Sequence, residues 1–490
     1  MKILYLPLDE RPCNYLYPKM ITNNSSVNLT MPKLEILSKK KKAASYEDIK
    51  KYLINNVDDQ DGIVISLDML LYGGLIPSRL HHLDIDIVKE RLNVLKELKK
   101  INKTLKIYAF ECIMRCPQYN SSEEEPDYYE QYGYALFKKS YLKDKKERIG
   151  LNEQEEFELA KLTIPNDILN DYEDRRKTNC LMNKITLDYL IDGTIDFMVI
   201  PQDDSSPFGY TAQDQKYILE AIKKNNLEFK TMVYPGADEV GLTLMCRCYN
   251  NYFDLIPKIY PFYASILGPS IVPLYEDRPM YESLKSHILA CGARIIDNSD
   301  HADLIIGINC PGKFMQESFD KKDITYSSYR NLLEFVYRIK NYIVDGKSVA
   351  IIDSAFSNGG DYEFIKYLDT LNLLDKLKGY AGWNTNCNTT GTVLTQALLG
   401  KNAVNNTIYH VIEDCFYQSI VRQDVIEHDL NELGLSYYDF KDMQNEVENR
   451  IGNKLLLLYN QLQLSKKYPI KDINVYLPWH RMFEIGLNYK

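Results

Sequence analysis

Long hydrophobic runs are missing from this 490-residue chain: nowhere do about 18 or more uncharged apolar residues follow one another, so no transmembrane helix is expected. Positive charge is not in excess either. Lys and Arg number 59 against 68 Asp and Glu, a net charge of −9 that excludes a generally basic nucleic-acid binder. Histidine occurs seven times, with only His81 and His82 close together, so nothing prompts His-based catalysis and these two read as surface residues at a helix start. No G-x-S-x-G elbow, H-E-x-x-H pair, P-loop lysine or G-x-G-x-x-G turn is present. The ten cysteines are scattered, as reduced buried thiols are. Cys112 with Cys116 and Cys246 with Cys248 lack an answering pair, so neither a metal nor another cofactor is expected. The apolar run after Met1 is too short for a signal-peptide core and reads as a first buried strand, which makes a cytoplasmic protein the expectation.

What is present is an ordinary globular balance, 45% apolar and 26% charged, with an unusual 39 Tyr against 16 Phe and 2 Trp. Tyrosine offers aromatic faces with a hydroxyl, suited to sugar or peptide contact and equally to an amphipathic surface. Short apolar runs recur, each followed by a polar stretch and then a segment of helical period: Ile3–Leu8, Gly62–Leu67, Ile107–Cys112, Asp196–Pro201, Lys230–Tyr234, Ala264–Leu267, Asp303–Ile308, Ser348–Asp353 and Gly379–Trp383, with a tenth at Ile473–Leu477. Such β-α repetition requires a mostly parallel sheet covered on both faces. Eight of the nine runs would close a (β/α)8 barrel over residues 1–390; two doubly wound α/β domains divided near Pro261 are the alternative. Residues 120–193 read as a charge-dense insertion with a helix at Leu151–Leu162. Residues 391–490 read as a helical C-terminal part, with helices at Gly391–Leu399, His410–Val421 and Asp439–Leu464. No repeat of fixed period is visible.

The strand ends carry the polar residues. After successive runs come Asp9 and Arg11; Asp68, Tyr72 and Arg79; Glu111 and Arg115; Asp203 and Asp204; Asp238 and Glu239; Asp353, Asn358 and Asp361; Trp383 and Asn384. One such cluster would be a cap or turn. Seven, on parallel strands, predict convergence on one rim around a polyhydroxylated or phosphorylated small molecule. Asp203–Asp204 is the sharpest pair, because two crowded carboxylates cannot both ionise easily and so provide an acid and a base near neutral pH. The bland reading makes Asp204 the N-cap of the next helix, and a third lets the pair hold Mg²⁺ with Asp238 or Glu239. Trp383 would stack on a sugar or roof a core, Trp479 belongs to a core, and Arg481 and Glu484, three apart, pair on a helix.

The motifs Leu6-Pro-Leu-Asp-Glu-Arg-Pro-Cys-Asn14, Tyr72-Gly-Gly-Leu-Ile-Pro-Ser-Arg79, Ala381-Gly-Trp-Asn-Thr385 and Leu477-Pro-Trp-His-Arg-Met-Phe-Glu484 resemble a bacterial family labelled domain of unknown function 4127, over essentially the whole chain. That resemblance implies one family-specific architecture and no activity. The order of Asp203–Asp204, then Asp353 with Asn358 and Asp361, then Asn384, is also similar to the barrel of bacterial O-GlcNAcases and hyaluronidase-type hexosaminidases. This second resemblance implies that Asp203 polarises a 2-acetamido group, Asp204 protonates the leaving oxygen, and Asp353, Asn384 and Asn358 hold sugar hydroxyls. The chain departs from that pattern by an extra β-α unit between about Ala264 and Ile308 and by lacking an evident lysine after strand two. The resulting expectation is a retaining, substrate-assisted glycoside hydrolase acting on a small N-acetylhexosaminide-like carbohydrate, with no nucleic-acid or membrane partner. A non-catalytic sugar-binding protein and a divalent-metal-dependent enzyme are the alternatives.

Overall fold

The computed structural model describes residues 1–490 other than Asn24 and Asn402. The chain forms two compact units. The first comprises Met1–Glu10, Val27–Cys248 and Tyr275–Asp277; the second comprises Arg11–Ser26, Tyr249–Leu274 and Arg278–Lys490.

In the first unit six parallel strands form one sheet: β1 (Lys2–Leu6), β2 (Asn28–Thr30), β3 (Gly62–Ser66), β4 (Lys106–Phe110), β5 (Phe197–Gln202) and β6 (Thr231–Pro235). Their order is β2-β1-β3-β4-β5-β6. Every residue of β3 and β5 is buried, which is why these strands read as unbroken apolar runs rather than alternating ones. Helix Leu67–Tyr72 follows β3 directly, capped by the Ser66 hydroxyl and closed by Gly73 at φ 85°. Only glycine suits that turn, since a Cβ there would lie 2.8 Å from the Ala44 backbone. Between β4 and β5 the expected insertion folds as three helices, Tyr129–Ile149, Glu153–Lys161 and Asn166–Ile191. It has its own apolar cluster around Met114, Tyr129, Leu136 and Tyr172.

The second unit holds β7 (Lys258–Tyr263), β8 (Arg294–Ile295), β9 (Leu304–Asn309), β10 (Gln316–Glu317), β11 (Val349–Asp353), β12 (Phe356–Ser357) and β13 (Tyr380–Ala381), and a hairpin of β14 (Ile473–Tyr476) with β15 (Gly486–Tyr489). Five strands make a parallel sheet in the order β13-β11-β9-β7-β8; β10 and β12 pair beside it. Counted from each unit's first strand, both sheets run 2-1-3-4-5, with a sixth strand added to the first. This is the order of open, doubly wound sheets.

The α/β class with parallel sheets is as expected, and of the two arrangements the strands adopt the two-sheet one. A closed barrel needs every crossover to step the same way round. Here the first crossover of each unit steps one way and the later ones the other, so β2 and β6 end one sheet and β13 and β8 the other. The division consequently falls around residues 249–278, and residues 391–490 share a unit with β7–β13 instead of forming a separate part after 390. Ala264–Leu267 is the loop beyond β7, which begins at Lys258, and Ile473–Leu477 supplies β14 of an antiparallel hairpin. The C-terminal helices run Asn386–Leu399, Ala403–His410 and Gln444–Tyr459, with a widened π-helical segment at Val411–Val421. No helix among the described residues is long and apolar enough to cross a membrane.

Candidate functional site

The carboxyl ends of β3, β4 and β5 in the first unit gather a dense ionic cluster. Asp203 and Asp204 leave β5 together, Asp204 in the left-handed region at φ 46°, a conformation that aspartate tolerates better than most residues. Arg79, on the turn Pro77–Arg79, donates from Nη2 to Asp203 Oδ2 at 2.7 Å and from Nη1 to Glu124 and Glu125, each at 3.3 Å. Arg115 donates to Asp204 Oδ2 at 3.1 Å, to Glu125 Oε1 at 2.7 Å, to Glu124 Oε2 at 2.9 Å and to the Tyr119 hydroxyl at 3.1 Å. Two guanidinium groups thus tie four carboxylates together. Burial first, and then the charge of Asp203, raise the Asp204 carboxyl to about 6 against the pull of Arg115 and Arg79.

Asp204 also borders a cavity of about 430 Å³, with Tyr119, Phe137, Lys138 and Tyr141 from the insertion and Tyr275 around it. Its side chain is 24% exposed, so the carboxyl reaches this space while remaining largely desolvated. The N-cap reading of Asp204 does not hold, because the next helix, Tyr210–Lys224, starts after Gly209 and has no side-chain cap.

Behind this cluster lie two more acids. Asp68 Oδ2 accepts the Cys112 backbone N–H at 2.9 Å, and burial raises its carboxyl to about 6. Glu111 accepts the Thr186 hydroxyl at 2.9 Å on Oε2, and its Oε1 has no partner among the described residues. Burial, then the charge of Asp68, hold Glu111 near 8, so it is a neutral acid at pH 7. Tyr72 is buried and its ring stacks on His81 at 4.4 Å. His81 is half-buried rather than fully at the surface: it bonds Asn179 at 2.7 Å, and burial lowers it to about 4, while His82 is exposed. Asp9, Asp238 and Glu239 are buried, and the Glu239 carboxylate turns back onto its own loop to accept the Ala237 N–H at 3.1 Å. With Asp203 and Asp204 held by arginines, the metal reading finds no group of three or more His, Cys, Asp or Glu side chains placed for a cation among the described residues.

The remaining candidates belong to the second unit, at and beyond the ends of its own strands. Asp353 accepts from Asn309 Nδ2 at 2.8 Å, from the Tyr380 hydroxyl at 2.9 Å and from the Asp361 N–H at 2.8 Å. Burial and the neighbouring Asp361 raise it to about 7. Asp361 caps helix Tyr362–Thr370 and takes Arg330 Nη1 at 2.8 Å; against the cost of burial, Arg330 and then Lys322 hold it below the usual carboxylate range. Asn358 and Asn384 both stand at φ 54°, joined by the Asn358 N–H to the Asn384 carbonyl at 2.8 Å. Trp383 is a core residue, its indole N–H on Thr392 at 3.2 Å and its edge against Tyr17 at 5.6 Å. Arg11 and Arg481 lie over the Trp479 ring at 4.7 and 4.6 Å, and Arg481 pairs with Glu484 at 3.1 Å. That pair is not on a helix, because Trp479 and His480 have φ of 57° and 54°.

Tyr119, Glu124, Glu125, Lys138 and Tyr141 were not among the expected site residues. The one signal for them was the Glu123–Glu125 run shortly after Arg115, a triplet of acids that demands nearby cations once buried.

A family model described as a protein of unknown function (DUF4127) matches residues 3–488. No curated protein and no solved structure matches the chain. With nearly its whole length covered, and the four motifs around Arg11, Arg79, Trp383 and Trp479 within that span, the chain belongs to the DUF4127 family.

Proposed function

We propose that the first unit hydrolyses a small carbohydrate glycoside of the N-acetylhexosaminide kind, with Asp204 as the proton donor. The observation that carries this reading is the unequal treatment of two adjacent carboxyls. Asp203 is bonded to the buried Arg79, whereas Asp204, bonded to Arg115, is raised to about 6 and borders the cavity. A neighbouring acid and carboxylate are the pair that glycosidic cleavage needs. Tyr119 and Tyr141 supply faces and hydroxyls for a sugar ring, and Lys138 a donor for its oxygens. In the step proposed, the substrate's own acetamido oxygen attacks the anomeric carbon, oriented by Asp203, while Asp204 passes its proton to the departing oxygen. Asp204, now a carboxylate, then takes a proton from the water that opens the ring intermediate and returns the acetamido group.

The test is hydrolysis of fluorogenic N-acetylglucosaminide, N-acetylgalactosaminide and plain hexosides by the wild type and Asp204→Asn. Turnover by the wild type, reduced about 10²- to 10⁴-fold in the variant, is expected for a general acid. Equal rates, or silence across the panel, would overturn the reading. One observation favours a non-catalytic sugar-binding protein instead: both carboxylates are already engaged by arginines, 2.7 and 3.1 Å away. Saturable sugar binding without turnover selects that alternative.

A further inference from the structure

The second unit carries a cavity of about 640 Å³ that the reading above does not use. Ala264 and Ile266, just beyond β7, form one side; Ser327, Ser328, Arg330 and Glu363 form the other. β7 is where this sheet's order reverses, with β8 on one side and β9 on the other. In open parallel sheets the loops diverge at that reversal, and the crevice they leave is the usual place for a ligand.

Arg330 is the polar anchor. Its side chain is only 2% exposed. Nη1 donates to Asn309 Oδ1 and Asp361 Oδ2, both at 2.8 Å, and Nε donates to the Tyr326 carbonyl at 3.1 Å. Nη2 makes no hydrogen bond to any described residue, and Arg330 lines the cavity. The guanidinium is therefore fixed on one side by strand-end residues and leaves one donor nitrogen for an incoming acceptor.

Charge selects among acceptors. Lys322 reaches Asp361 at 3.2 Å and Glu363 at 3.7 Å, so two cations and two carboxylates balance around this end of the cavity. A balanced site gives no net attraction to an ion of either sign. Ile266 and Leu333, 91% and 58% exposed, add an apolar wall. An oxygen for Nη2, hydroxyls for Glu363 and the serines, and a carbon face for Ile266 together describe an uncharged, hydroxylated ring.

We propose that the second unit holds its own small-molecule site at Arg330, for an uncharged ligand of saccharide type. This assignment is independent of any hydrolysis at Asp204. The test uses the full chain with N-acetyl-D-glucosamine, D-glucose and myo-inositol as probes, followed by saturation-transfer NMR and calorimetric titration. Saturable binding of at least one probe is expected in both wild type and Asp204→Asn. Ser327→Trp, made at an exposed position and filling the cavity, should weaken it at least tenfold, as should Arg330→Lys, which keeps the charge but loses the fork. Circular dichroism establishes that each variant is folded; Ser327→Trp decides the matter should Arg330→Lys not fold. No saturable binding by the wild type, or binding that survives Ser327→Trp unchanged, would overturn the assignment. Tighter binding of glucose 6-phosphate than of glucose would overturn its uncharged character.

Discussion

Asp204 in the first unit and Asp353 in the second both stand at the carboxyl end of a parallel strand, in sheets of the same order, yet they are treated oppositely. Asp353 is 1% exposed and receives three hydrogen bonds from Asn309, Tyr380 and the Asp361 backbone. Asp204 is about a quarter exposed, receives one arginine nitrogen and faces a cavity. The difference is the insertion between β4 and β5, which supplies Tyr119, Glu124, Glu125 and the cavity wall and has no counterpart among the short crossovers of the second sheet. A strand-end carboxyl is thus closed in wherever its own unit supplies its hydrogen bonds. It keeps an open side where an added segment crowds it with charge and leaves a space beside it.

Substitutions should separate the two settings, most strongly at Asp361. Asp361→Ala leaves Arg330 buried without its bonded carboxylate, and a loss of roughly 3–5 kcal/mol in urea unfolding is expected. Asp204→Asn should change stability by less than about 1 kcal/mol, as partly exposed groups generally do. Near-equal losses would dissolve the distinction drawn between the two settings.

A pH-dependent effect is expected at Glu111. Its carboxyl is near 8 when folded and near the ordinary 4.5 when unfolded, so the folded state keeps a proton that the unfolded state releases. Its contribution to stability is therefore lost as pH rises from about 4.5 to about 8, by up to about 5 kcal/mol. Glu111→Gln should remove that slope, and unfolding at pH 5 and pH 8.5 reads it directly.

Asp203→Asn should lower the titration of Asp204, since the charge of Asp203 is one cause of its elevation. Carboxyl-carbon NMR measures this whether or not turnover is detected, and an unmoved or raised midpoint would contradict the coupling. A local effect belongs to Asn152→Ala, which breaks the capping box with Glu155 at the start of helix Glu153–Lys161. About 1 kcal/mol is expected, seen as faster proteolysis confined to the insertion.

Much of the fold was legible in the residues. β3, β5, β9 and β11 are unbroken apolar runs, and burial on both faces gives a parallel strand no other pattern. The division into two sheets was not, because it depends on which way the first crossover of each unit steps, and hydropathy carries no record of direction. β2 escaped notice as three half-exposed residues, Asn28–Thr30. Asp203 and Asp204 stood out by adjacency, but their partners could not. Arg79 lies 124 positions earlier in the chain, and Glu124 and Glu125 sit in a stretch whose acidity looks the same as a solvated surface until it folds.

The alternating assignment of segments to the two units bears on how this protein is made. Residues 11–26 leave the ribosome before almost all of the first unit but belong to the second, and the first unit is not complete until Tyr275–Asp277 have been synthesised. Tyr275 is no loose appendage, since its carbonyl accepts the Ser205 N–H at 3.1 Å beside the Asp203–Asp204 pair. No single cut in the gene therefore yields either unit whole, and a fragment ending at Cys248 would lack a strut of its own candidate site while exposing an N-terminal helix with nothing to join. Translation past residue 277 is the earliest point at which the first unit has all its parts.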